Sequence, residues 1–223
     1  MLVIRNRLIA LLFRLGAFAV LLWSLISYWS TLPYAYTAFC LLEIQTGLAY
    51  LAALFLLIIF NAIDLRHGIH GAAAGGYMPA MLGIVAYTSI GGAVALGYSL
   101  PIHNLLNPSS ILYSALLIAL PIAEWLLFEY KGNVRYYHTI TWTIYPVFFM
   151  VFSILRVLIW TDAPLFQDGR DFEFLFLDFF AEPVHWVYSV ITVLVCYGWG
   201  VLLSFIDLAM GRKSREQSNL LQD

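Results

Sequence analysis

Six long apolar runs, at 8–29, 38–61, 77–100, 109–128, 139–160 and 184–206, divide the chain. Crossing roughly 30 Å of hydrocarbon at about 1.5 Å per residue takes about 20 apolar residues, so each run predicts a spanning helix. The runs are continuous rather than alternating apolar and polar, which argues for helices over a barrel. Turn signals separate them: Leu32-Pro33, His67-Gly68, Asn107-Pro108 and Lys131-Gly132-Asn133. The pattern predicts an all-α polytopic protein, one bundle of six transmembrane helices with a short tail over 207–223. Arg5 and Arg7 before the first run suggest a secretory signal. That run is too long for one and no small-residue cleavage site follows Tyr28-Trp29, so it is expected to be retained. Trp23, Trp29, Trp125, Trp142, Trp160 and Trp186 fall mostly near run ends and are expected to be interfacial anchors.

Composition strengthens this picture. Of 223 residues, 62% are hydrophobic and 11% charged, and mean hydropathy is +0.86. Soluble domains carry roughly 25% charged residues to build a polar skin; lipid removes that need. A net charge of −2 supplies no basic field for nucleic acid. The basic residues set an orientation. Arg5, Arg7, Arg66, Lys131, Arg135, Arg212, Lys213 and Arg215 fall on the side of the termini. The other side has Arg170 among Asp162, Asp168, Asp171, Glu173, Asp178 and Glu182. Both termini are therefore expected in the cytoplasm, with the chain in the cell membrane. Cys40 and Cys196 lie in apolar runs and read as small buried hydrophobes.

Candidate chemistry comes from groups that lipid penalises. A charge at mid-span costs about 2.5–3.5 kcal/mol on insertion scales. Depth estimates pair Glu43 with Arg156 near the outer surface and Arg14 with Glu124 near the inner one, predicting two intramembrane ion pairs. Spacing puts Glu43, Thr46 and Gly47 on one face of the second helix. This polar, small-residue stripe should face the interior, as glue between helices or as the floor of a site. Snorkelling to the interface is the alternative for Arg14 and Glu124.

The histidines offer no haem site. His67 and His70 lie in one loop, His103 at an outer turn, and His138 and His185 at opposite ends of the last two spans. The 162–183 loop mixes acids with phenylalanines and is expected to lie in the interface or over the bundle mouth. Its spacing fits no EF-hand. Gly71, Gly75 and Gly76 read as close helix packing. No cofactor or metal is expected.

Several spaced features together resemble the androgen-inducible, FAR-17a-like family of six-span membrane proteins, particularly its bacterial members. They are Glu43-Ile44-Gln45-Thr46, the stretch from Gly71 to Tyr87, Glu124-Trp125-Leu126-Leu127-Phe128, Lys131-Gly132, Trp142 with Tyr145-Pro146, Arg156, and Phe176-Leu177-Asp178. Mammalian members hydrolyse fatty acid esters of hydroxy fatty acids, with a threonine in span two and a histidine in span four. Here the threonine position holds Glu43, with Thr46 one turn away. The histidine position falls at Tyr113 or Ser114, and span four has no histidine.

The resemblance without its Thr/His pair implies a protein that binds a lipid-like amphiphile within the bundle, or a membrane subunit of an assembly. Its partners would be membrane lipids and another membrane protein. Glu43 and Thr46 would be the catalytic pair of an alternative acyl-ester hydrolase, with Gln45, Tyr113, Ser114, Arg156 and Tyr145 around the substrate. Without a base, a threonine hydroxyl is a weak nucleophile, and Glu43 would be that base. A small-solute transporter is a third alternative, weakened by the absence of broken helices or an inverted repeat.

Overall fold

The structure, a computed structural model, describes residues 4, 6–32, 35–69, 78–99, 108–129, 131–132, 134–160, 177–178 and 182–220; for 35–37, 78–82, 94–99, 136 and 212–220 only the backbone course is described. His70, His103, the glycines at 71, 75 and 76, Arg5, and the acids and phenylalanines of 161–176 and 179–181 lie outside the described residues.

The described residues form α1 (Arg7–Trp29), a 3-10 helix (Ala35–Cys40), α2 (Leu42–Arg66), α3 (Met78–Ser99), α4 (Pro108–Phe128), α5 (Tyr136–Ile159) and α6 (His185–Leu220). No strand occurs among them. Five helices (α1, α2, α4, α5 and α6) are long and apolar enough to cross a membrane.

Local chemistry fixes the helix ends. Asn6 caps α1, its side-chain oxygen accepting from the Leu8 and Ile9 amides at 2.9 and 3.3 Å. α2 starts four residues later than the apolar run suggests, because Ala35–Cys40 winds as a 3-10 helix and Leu41 is extended. Glu43 therefore sits in the first helical turn, where the helix dipole favours a negative charge. At the other end of the chain α6 continues to Leu220. Gly211 alone does not break it, since one interior glycine costs only about 1 kcal/mol against alanine.

Three helices build the main core. Leu21 and Leu25 of α1 pack with Tyr50, Leu54 and Leu57 of α2 and with Tyr113 and Leu117 of α4. α3 packs on α4 and α2, and α5 and α6 form a second pair reached through α3. A smaller cluster, Val85, Ala86, Trp125, Val134, Trp142 and Leu203, ties α3 and α4 to that pair. The faces turned outward are apolar: Phe148, Val151 and Leu155 on α5, and Val187, Leu194 and Phe205 on α6, are all exposed. Water would penalise such a surface; lipid would not.

Two tryptophans are not interfacial anchors. Trp125 and Trp142 are buried, whereas Trp23, Trp160 and Trp186 are exposed. The Trp125 indole N–H donates to Asp207 at 3.3 Å. Trp142 fills space left by glycines, since a Cβ on Gly83 would stand 2.7 Å from its ring and one on Gly200 would stand 3.5 Å away. Hydropathy places a tryptophan near the end of a run but says nothing of which way its ring points.

Candidate functional site

Between α2 and the α5–α6 pair lies a cavity of ≈ 120 Å³, with α3 as a third wall. Leu42 and Thr46 line it from α2, Tyr87 and Ile90 from α3, Tyr145, Pro146 and Met150 from α5, and Thr192 and Cys196 from α6. Its accessible wall is apolar. Met150, Thr192 and Cys196 are half-buried, so the cavity reaches the outer surface of the bundle. Leu177 closes one side beside Phe149.

The polar groups of the second helix divide around this cavity. Thr46 lines it, but its hydroxyl donates to the Glu43 backbone carbonyl at 3.0 Å. That same carbonyl accepts from the Tyr113 hydroxyl at 2.7 Å. The Glu43 carboxylate points the other way, into the three-helix core, where Oε1 accepts from the Tyr28 hydroxyl at 2.8 Å. Tyr28 stacks on Tyr113 with centroids 5.1 Å apart. Gln45 bridges outward: its amide donates to the Phe39 carbonyl at 2.8 Å, and its carbonyl accepts from the Tyr145 hydroxyl at 3.1 Å. Ser114 is buried and donates to the Ser110 carbonyl at 2.7 Å.

Of the residues singled out from the sequence, then, Thr46 and Tyr145 line the cavity and Gln45 touches it through Tyr145. Tyr113 belongs to the core between α1, α2 and α4, and Ser114 is buried with its carbonyl against Gly92 of α3. Arg156 is buried. Its guanidinium partly offsets the upward push that burial gives the Cys40 thiol, which places its charge near the start of α2.

The second cluster lies at the opposite end of the bundle. Arg14 and Glu124 are both 0% exposed, and Arg14 Nε and Nη2 donate to Glu124 Oε1 at 2.8 and 2.5 Å. The Arg14 guanidinium also lies 5.9 Å from the Phe128 ring centroid. Nearer the terminal end, Arg7 pairs with Asp64.

Two acids here, Glu129 and Asp207, were not singled out from the sequence, and Lys131 was read there only as a loop cation. Asp207 is buried, accepting from the Trp125 indole and, at 2.8 Å, from the Gly132 amide. Lys131 curls back over the end of α4, donating to the Trp125 and Glu129 carbonyls, with its ammonium 4.4 Å from the Trp125 ring centroid. That is a cation capping a helix C-terminus. Glu129 is 1% exposed. Burial, reinforced by the negative charge of Glu124, pushes its carboxyl up to about 7. Burial lowers the Lys131 ammonium to about 8. A short apolar context was the available signal, since both acids adjoin hydrophobic runs, at Phe128-Glu129 and Ile206-Asp207.

Among the described residues no three His, Cys, Asp or Glu side chains gather as a metal site. The His185 ring sits 2.7 Å from the Asp178 carbonyl. His138 accepts from the Arg135 amide at 3.0 Å. No protein-family model, curated protein or solved structure matches the chain.

Proposed function

We propose that this chain is a six-span membrane protein, both termini in the cytoplasm, that takes the hydrocarbon part of an amphiphile into the cavity beside Thr46. The observation that carries this reading is the character of that cavity: an apolar wall, reached from the surface between helices, with no carboxylate or cation lining it among the described residues. An acyl chain suits such a wall, whereas a polar solute would have to shed water without compensation. Gln45 at the edge, held by Phe39 and Tyr145, has a second amide N–H to offer an ester or headgroup oxygen.

The test is binding of a fluorescent long-chain fatty acyl probe to purified protein, wild type beside Met150→Trp. Filling the cavity is expected to weaken binding at least about tenfold, equivalent to about 1.4 kcal/mol, with the melting profile retained. Equal affinity in both proteins would overturn the reading.

Acyl-ester hydrolysis has one observation in its favour, that Thr46 lines the cavity. The engagement of its hydroxyl with a backbone carbonyl, rather than with a base, favours binding over catalysis. Turnover of an acyl ester by wild type, lost in Thr46→Ala, would reverse that preference.

A further inference from the structure

The buried polar cluster at the terminal end has no part in the amphiphile reading and stands independently of it. Its elements converge from across the bundle. Tyr28–Glu43 at one end and Arg7–Asp64 at the other fix the register of α1 against α2. In that register Asn61 of α2 lies level with Ala10 of α1, about one turn from Arg14. Asn61 is 0% exposed, and neither its amide oxygen nor its nitrogen has a hydrogen-bond partner. The Tyr50 hydroxyl, within electrostatic reach of Glu124 and Arg14, also has none. Nor have Arg14 Nη1, Glu124 Oε2 or either oxygen of Glu129.

So many unsatisfied groups in one interior call for a physical reason, because each costs about 1–3 kcal/mol when left alone. Charge supplies half of it. Around Glu129 stand Arg14 from α1, Glu124 from α4, Lys131 from the turn after α4, and Asp207 from α6. That is two cations against three carboxylates, an excess of one negative charge around a carboxyl that is itself 1% exposed. A net buried charge is neutralised by taking up a proton before it is tolerated bare. Glu124 is bonded to Arg14, and Asp207 accepts two N–H groups. Each thus has hydrogen-bond partners on at least one oxygen. Glu129 accepts no hydrogen bond, and its anion would be the one left uncompensated.

We propose that Glu129 is a proton-binding site: it is a neutral acid in the resting protein, exchanging its proton through water held among Glu124, Arg14, Tyr50 and Asn61. Protonation adds a hydroxyl donor where acceptors are in excess. Loss of the proton leaves a carboxylate within reach of those of Glu124 and Asp207, loosening the seat of α6 on the turn after α4.

The assignment is tested by infrared difference spectra of the full chain in lipid nanodiscs, titrated across neutrality. Wild type should show a protonated-carboxyl C=O stretch that disappears as the pH rises through about 7, and Glu129→Gln should lack it. A wild type without such a signal, or a Glu129→Gln protein that keeps it, would overturn the proposal. If Glu129→Gln fails to fold, Lys131→Met interrogates the same group. Removing the neighbouring ammonium should move the midpoint upward, and an unmoved midpoint would sink the assignment.

Discussion

Single side chains carry most of what is unusual here. Arg14 and Glu124 are fully buried and bonded to each other. Such a pair is harder to break than to replace, because removing one partner strands a charge in the interior. Arg14→Met should lower stability by about 3–5 kcal/mol, and the double change Arg14→Met with Glu124→Leu should recover most of that loss. Denaturant titration of all four proteins in one detergent gives the coupling directly; additive losses would mean the pair is not shielded from solvent. Glu129 and Lys131 give a pH signature. The folded chain holds the Glu129 proton more tightly than the unfolded chain does, so stability is intact below about 4.5 and falls as pH climbs to about 7. The Lys131 penalty is present below about 8 and is relieved as pH rises toward 10.5. Thermal unfolding should therefore show a minimum between about pH 7 and 8, and Glu129→Gln should remove its acid-side descent.

At the scale of elements, close approaches between backbones decide how the helices lock. Gly132 has φ of +87°, and a Cβ there would lie 3.0 Å from the Gly211 Cα. The turn after α4 thus rests directly on α6, beside the Gly132 amide that Asp207 accepts from. Gly132→Ala should cost at least about 1–2 kcal/mol from the left-handed backbone alone, read as a lower unfolding temperature. On α2, a Cβ at Gly47 would lie 2.0 Å from the Tyr113 hydroxyl oxygen. Gly47→Ala should destabilise, and Tyr113→Phe should relieve part of the loss by removing that oxygen. A double variant no better than Gly47→Ala alone would mean the ring itself, with Cζ 3.1 Å from the added Cβ, sets the clash. These contacts explain what the sequence made legible and what it did not. Apolar runs located every helix core, because hydropathy is a property of the segment itself. Depth along those runs put Arg14 at the level of Glu124. The same logic passed over Glu129 and Asp207. A carboxylate at the edge of an apolar run reads as one that reaches water, and only the fold of the 129–132 turn onto α6 buries them. The cavity was illegible for a related reason: it exists because the α5–α6 pair leans on α3 and stands off from α2, a fact of packing and not of any one helix.

For the whole molecule, the helices alternate direction and place the start of α1 and the later part of α6 at the end that holds Arg14 and Lys131. The Ile4 amide donates to the Leu127 carbonyl at 2.8 Å, and Gly211 of α6 meets Gly132 at that same end. Exposed His67 and Arg135 belong there, and exposed Glu182 belongs to the other. If all six helices cross, with the basic end inward, a membrane-impermeant thiol reagent can separate these positions in intact cells. Single cysteines would replace His67, Arg135 and Glu182 in a chain whose Cys40 and Cys196 have been changed to alanine. Glu182→Cys should label at once, and the other two only after permeabilisation. The critical comparison is His67 with Arg135, because α3 and α4 lie between them. If both label from the inside, α3 and α4 cross together or not at all. A cysteine in the 100–107 segment then distinguishes the two: labelled from outside, the bundle has six spans. Labelled only from inside, α3 and α4 would form a re-entrant pair, and the polar cluster at the terminal end would be part of a cytoplasmic vestibule instead of a sealed interior.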